Sequence, residues 1–307
     1  MNSKLLSNFS LCLAAIIWGF AFVAQVDGMK YIGPFTMISV RFFIGIAVLL
    51  PVILVFEKRN LNKKHLLLEL KPTLVVGLLL FTAVTVQQYG IQITASAGVS
   101  GLISGLYTIF VPLTYFLFFR KKIGAQVWIG AVFAVVGLFV LCYDPQSGLA
   151  FGLGELLLLI GSFLWTAHVI LIDFYVRTDV RPLLLSWGQF AVCAVLGLIC
   201  MIIFEGSQLT LASLIDAKWS LIYCGILSSG CAYTLQVIGQ KGADPTYAAI
   251  ILSTESAFGA IGGALFGIDD IPLIGYVGCA LMFMGIVCSQ MEFKFKGKSK
   301  RLQTPKE

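Results

Sequence analysis

Residues 8–26 read NFSLCLAAIIWGFAFVAQV and residues 34–56 read PFTMISVRFFIGIAVLLPVILVF. Each run is close to the roughly 20 apolar residues a helix needs to cross the hydrocarbon core of a bilayer. Arg41 is the sole formal charge within the pair. Eight more runs of this kind follow, at 72–92, 95–119, 124–143, 150–172, 182–204, 218–239, 246–266 and 272–290. The expected fold class is therefore an all-α integral membrane protein with ten transmembrane helices. Composition agrees: of 307 residues, 59% are hydrophobic and 12% are charged, with a mean hydropathy of +0.95. Ordinary soluble domains carry about 25% charged residues, so the lipid bilayer is the expected solvent for most of this chain. Pro34, Pro72, Pro182 and Pro272 each stand at the start of a run, where the missing N–H of proline costs a helix nothing. The first run is too long for the apolar region of a signal peptide and no small-residue cleavage site follows it, so it is expected to stay in the mature chain.

Basic residues assign the two faces. With an even number of spans both termini share one side. On it fall Lys4, Lys58, Arg59, Lys63, Lys64, Lys71, Arg120, Lys121, Lys122, Arg177, Arg181, Lys241 and the tail FKFKGKSKR at 293–301. The other side holds Lys30 and Lys218 against Asp144, Glu205, Asp216, Asp269 and Asp270. Both termini are expected in the cytoplasm of a multi-pass membrane protein. The net charge of +6 is then a topology signal and not a nucleic-acid footprint, and the tail reads as a stop-transfer flank. The eight cysteines lie in or at the ends of spans without CxxC or Cys/His spacing, so no metal site and no cofactor is expected.

The chain also repeats itself. Sliding it by 147 or 148 positions lays Trp18 on Trp165, Pro34 on Pro182, Phe42 on Phe190, Gly77 on Gly225, Gln88 on Gln236 and Gln92 on Gln240. Gly130 and Gly137 fall on Gly278 and Gly285. The expected organisation is a first repeat over 1–145 and a second over 146–307, the latter including the basic tail. Five spans per repeat is an odd number, so the second copy enters the membrane upside down. Inverted repeats are a recurrent design of secondary transporters.

Polar residues at helical spacing mark an internal surface. Span 8 carries Ser229, Tyr233, Gln236 and Gln240 on one face, and its repeat partner, span 3, carries Thr85, Gln88 and Gln92. Span 4 has Ser100, Ser104 and Tyr107, and the equivalent of Tyr107 in span 9 is Glu255. Span 6 pairs Trp165 with His168, and span 1 pairs Trp18 with Gln25. A central polar cavity accounts for these faces, and the substrate-binding candidates are Trp18, Gln88, Tyr107, Trp165, His168, Tyr233, Gln236 and Glu255. Of the charges inside spans, Glu155 begins a helix, where the dipole favours an anion. Arg41 is assigned a structural role, clamping span 2 to a neighbour. Glu255 lies near the midplane, where low dielectric favours an uncharged carboxyl. It is the candidate for coupling transport to protons. Spans 5 and 10 hold glycines and aliphatics with almost no polar side chains, which suits packing or a homo-oligomer contact. Gly101/Gly105 and Gly259/Gly263 are small-residue seams.

LCLAAIIWGFAFV (11–23), PFTMISVRFF (34–43) and AYTLQVIGQKGADPTYAAIILSTESAFGAIGGALF (232–266), in this order over residues 8–290, resemble the EamA-type branch of the drug/metabolite transporter superfamily. The resemblance implies a ten-helix carrier, usually in the cell inner membrane of bacteria and usually an exporter of amino acids or other small metabolites, with spans 1, 3, 4, 6, 8 and 9 around the cavity. Arg41-Phe42 matches the common RF pair of helix 2, and Glu255 the common Glu of helix 9. Ser256 stands where the family often has Pro, so no proline is there to kink the helix. Import of a vitamin- or nucleoside-like metabolite, a channel, and an intramembrane enzyme are the competing functions. The chain lacks a GxxxxGK[ST] phosphate loop and an HExxH zinc pair, and no catalytic residue is assigned.

Overall fold

A computed structural model describes residues 3–56, 63–120, 124–141, 143–144, 148–149, 151–176, 178, 180–243, 248, 251–252, 254–269 and 271–290. The tail from 291, Asp270, Arg177 and the basic stretches 57–62 and 121–123 lie outside the described residues. The helices are α1 (Ser3–Gly28), α2 (Pro34–Phe56), α3 (Lys63–Thr94), α4 (Ala97–Gly105), α5 (Tyr107–Phe119) and α6 (Ala125–Leu141) in the first half. The second half has α7 (Leu153–Val176), α8 (Pro182–Cys200), α9 (Leu211–Asp216), α10 (Lys218–Ile222), α11 (Tyr233–Gly242), α12 (Glu255–Leu265) and α13 (Leu273–Gln290). Met201–Glu205 and Tyr223–Ala232 continue α8 and α10 with the wider π winding. Among the described residues two two-residue strands, β1 (Tyr143–Asp144) and β2 (Gly148–Leu149), pair antiparallel between α6 and α7. Among the described residues seven helical segments are long and apolar enough to cross a membrane, and α6 and Leu273–Cys288 are shorter apolar helices. The chain is a multi-pass membrane protein.

Pro34 and Pro182 open α2 and α8 as the sequence implies. Pro72 does not: α3 begins at Lys63 and carries Pro72 within it. Hydropathy marks where lipid begins, whereas helical hydrogen bonding runs on past that boundary. Span 4 is likewise not one rod. It divides at Leu106 (φ −61°, ψ −19°) into α4 and α5. The equivalent residue 148 positions on is Thr254 (φ −65°, ψ −13°), the turn from which α12 starts. This break occurs with Ser256 in place of proline. The Ser256 hydroxyl donates to the Gly101 carbonyl at 2.9 Å, so a cross-helix hydrogen bond holds the start of α12 against α4.

Residues equivalent in the two repeats meet one another. Phe42 and Phe190 pack with ring centroids 5.5 Å apart, both fully buried. The glycines of α6 and α13 form a reciprocal antiparallel seam. A Cβ on Gly285 would lie 2.6 Å from the Gly130 carbonyl oxygen, and one on Gly278 would lie 2.7 Å from that of Gly137. Lipid tails are as apolar as these side chains, so close backbone approach and van der Waals contact hold such pairs, not a hydrophobic driving force. Trp128, Val132, Val135 and Phe139 on α6 point away from the bundle, exposed.

Acidic side chains pin helix ends across the repeats. The Glu205 carboxylate accepts from Phe35 N (2.8 Å), Thr36 N (2.8 Å) and Thr36 Oγ1 (2.7 Å), satisfying orphan donors at the start of α2. Asp269 does the same for α4, accepting from Ala97 N and Gly98 N at 2.7 Å each. On the face bearing the termini, Arg181 Nε donates to Glu69 Oε1 at 2.7 Å.

Candidate functional site

The two helix breaks bring their first helical residues together. Tyr107 opens α5 and Glu255 opens α12, and the phenol hydroxyl lies within hydrogen-bonding reach of the carboxyl group. Both side chains are buried.

Tyr107 and Glu255 both line a narrow cavity of about 40 Å³, well below the roughly 300–1,000 Å³ typical of small-molecule sites. Its aromatic wall is Trp18, Trp165 and Tyr233. Tyr233 lies between the two indoles, 4.8 Å from the Trp18 ring and 6.2 Å from Trp165, stacked on the latter. Trp18 is fixed through Nε1, which donates to the Ser228 carbonyl at 3.2 Å. Ser228 belongs to the π-wound stretch before α11; such winding is frequent at functional sites.

Arg41 and Gln25 form the polar wall. The guanidinium Nη1 donates to Gln25 Oε1 at 2.9 Å, and Gln25 Nε2 donates back to the Ala21 carbonyl at 3.0 Å. Arg41 is 3% exposed and its Nε has no partner among the described residues. The partners of Arg41 are the Gln25 amide and the Cys224 thiol, and among the described residues no carboxylate pairs with the guanidinium. Gln87 completes the lining beside Tyr107, its amide donating to the Ser104 hydroxyl at 2.9 Å.

Six of the eight expected residues border the cavity: Trp18, Tyr107, Trp165, Tyr233, Gln236 and Glu255. Gln88 and His168 do not. Gln88 is buried with both amide atoms unpartnered among the described residues. Its neighbour Gln87 takes the cavity position, since adjacent helical residues point about 100° apart. His168 is fully buried and its Nε2 hydrogen-bonds Gln189 Oε1 at 3.0 Å, while Nδ1 has no partner among the described residues. The residues the sequence reading left out are Ala21, Phe22, Gln87, Val169 and Ser228, together with Arg41, which was placed as a structural clamp and stands on the wall. For Gln87 the signal existed, a second glutamine beside Gln88, but pattern alone does not choose between them. Glu155 caps its own helix, accepting from Gly152 N at 2.9 Å.

Toward the face bearing the termini, the cavity ends on tightly packed apolar residues. Leu11, Val111, Val237 and Leu252 are all at most 1% exposed. Toward the other face, the α1–α2 turn and Gln92 border a second cavity of about 220 Å³ with Lys30, Glu205 and Gln208.

The EamA-like transporter family matches residues 5–143 and again 152–290, one copy in each half of the chain. An uncharacterized transporter of Archaeoglobus fulgidus is 24% identical over 289 residues, covering 92% of this chain and 85% of its own length. The uncharacterized transporter YoaV of Bacillus subtilis is 28% identical over 229 residues, covering 72% and 74% respectively. A protein of known crystal structure superposes with a TM-score of 0.68 at 21% identity, over 92% of this chain and 96% of its own, a likeness of fold. With both halves matched over nearly their full length, the chain belongs to the EamA-like transporter family.

Proposed function

We propose that this transporter is a secondary carrier for small organic metabolites of amino-acid type, working by alternating access as an exporter. The observation that carries the reading is the composition of one cavity: a cation, Arg41, a carboxyl group, Glu255, and a cage of Trp18, Trp165 and Tyr233. A zwitterion bearing an apolar or planar side chain offers a carboxylate to the guanidinium, an ammonium donor to the Glu255 carboxyl group and a surface to the rings. The reciprocal contacts of Phe42 with Phe190, and of Gly130 and Gly137 with Gly285 and Gly278, support repeats related by a two-fold axis in the membrane plane. Exchange of conformations between two such halves moves the opening from one face to the other. The excess of Lys and Arg on the terminal side supports cytoplasmic termini in the inner membrane. An impermeant thiol reagent should then modify Gln208→Cys from outside intact cells.

The deciding experiment is counterflow. Purified protein in liposomes preloaded with an unlabelled amino acid should accumulate the labelled form transiently against its gradient. A channel equilibrates without overshoot, so its absence across the amino acids, nucleosides and vitamins tried would reject the carrier reading. A thermal-shift screen against the same compounds selects which to load, because a ligand of the folded state raises its apparent stability.

A further inference from the structure

The cavity lining is unequal between the two repeats, and the inequality has a pattern. Shifted by 147 or 148 positions, Trp18 and Trp165, Phe22 and Val169, and Tyr107 and Glu255 are equivalent pairs, and both members of each pair line the cavity. Seven other lining residues have equivalents that do not: the equivalents of Gln25, Gln87 and Ser228 are the apolar Ile172, Leu235 and Leu80, that of Tyr233 is Thr85, and three more are polar and deeply buried. Arg41 corresponds to Gln189, Ala21 to His168, and Gln236 to Gln88. Gln189, His168 and Gln88 are at most 1% exposed, and each carries at least one buried side-chain atom without a partner among the described residues: Gln189 Nε2, His168 Nδ1, and both amide atoms of Gln88. A polar atom buried without a partner is unfavourable, so such groups are out of place in a wall meant to stay closed. The local bonding is also repeated. Arg41 holds Gln25 across α2 and α1, and Gln189 holds His168 across α8 and α7, with His168 equivalent to Ala21, one turn from Gln25 on the same helix face.

We propose that His168, Gln189 and Gln88 line the same central cavity when it opens toward the face bearing the termini, taking the places that Ala21, Arg41 and Gln236 hold in the present conformation. The proposal rests on the carrier reading above and names residues that the visible lining omits. In that opposite conformation the amides and the imidazole gain water or substrate as partners, while Arg41 and Gln25 close into the dry half. The two openings therefore differ by one charge. The present one offers a guanidinium to an anionic group, and the opposite one offers an amide and an imidazole at the equivalent places. A substrate carboxylate is thus held by a cation in one state and by neutral hydrogen-bonding groups in the other.

Single cysteines test this in membrane vesicles of both orientations, with a membrane-impermeant maleimide and the site of modification read by peptide mass spectrometry. Gln189→Cys and His168→Cys are to be modified from the terminal face only, and Gln25→Cys from the opposite face only. In the double variant Gln25→Cys/Gln189→Cys, prior modification at 25 with a bulky maleimide wedges the present opening. Labelling of 189 should then slow several-fold. Two probes on the terminal side guard against one that fails to fold, each being accepted only when it elutes as a single species. If Gln25→Cys reacts while folded Gln189→Cys and His168→Cys stay inert from both faces, the proposal is overturned and the carrier reading stands. An unchanged rate at 189 after wedging also overturns it. Labelling of any probe from both faces at once indicates a continuous pore and rejects both readings, and inertness of Gln25→Cys rejects the cavity itself.

Discussion

Replacing Glu205 tests whether a single carboxylate ties the second repeat to the start of α2. In Glu205→Ala three acceptor contacts vanish, to Phe35 N, Thr36 N and Thr36 Oγ1, all at 2.7–2.8 Å. A hydrogen bond to a charged group contributes about 1.5–3 kcal/mol, though bonds that share one carboxylate are not additive. Loss of a cap alone costs about 0.5–2 kcal/mol. Glu205 is 9% exposed and Phe35 8%, so water replaces the lost acceptor only in part. The expected destabilisation is about 3 kcal/mol for Glu205→Ala. Thr36→Val removes one of the three contacts and is expected to cost about 1 kcal/mol. Because both substitutions remove the same Thr36–Glu205 contact, Thr36→Val in the Glu205→Ala background should cost close to nothing. The measurement is equilibrium unfolding in mixed micelles with a rising fraction of dodecyl sulfate, followed by tryptophan fluorescence, on the two single variants and the double. Strict additivity of the two single effects, or a Glu205→Ala protein within about 0.5 kcal/mol of the parent, would refute the cap, since surface substitutions away from such features stay within that range.

Gln236→Leu should insert and fold yet lose transport, because it strips hydrogen bonding from the cavity wall, whereas Cys279→Ala on α13, away from the cavity, should transport at a near-parental rate; uptake at matched expression compares them. Glu255→Gln keeps the shape and hydrogen bonding of the group beside Tyr107 but cannot exchange a proton. Proton coupling at this site predicts loss of pH-driven uptake in vesicles with exchange at equal pH retained, and unchanged pH-driven uptake would exclude it. Gly285→Val forces a side chain against the Gly130 carbonyl and Ala134 N, an overpacking expected to cost about 1–3 kcal/mol, measured as a lower unfolding midpoint and a smaller monodisperse fraction on size exclusion.

Membrane residence and the division into two like halves follow from residues 1–307 without coordinates, because both rest on composition and on spacing along the chain. The spacing also singled out Trp18, Tyr107, Trp165, Tyr233, Gln236 and Glu255, all of which line the cavity. Aromatic and charged residues inside apolar spans are conspicuous, and the repeat says which of them are equivalent. Tertiary structure alone decided three things. It chose Gln87 over Gln88, because the rotation of a helix about its axis is set by what packs behind it, here Gly161 of α7 against the Gln87 backbone. It turned Glu205 and Asp269, unremarkable as acids in polar turns, into caps for helices 169 to 172 residues away in sequence. It also put Arg41 on a cavity wall beside Gln25 and sealed His168 against Gln189. Each depends on contacts between segments far apart in the chain, and one-dimensional periodicity carries the face of a helix but not the identity of what that face meets.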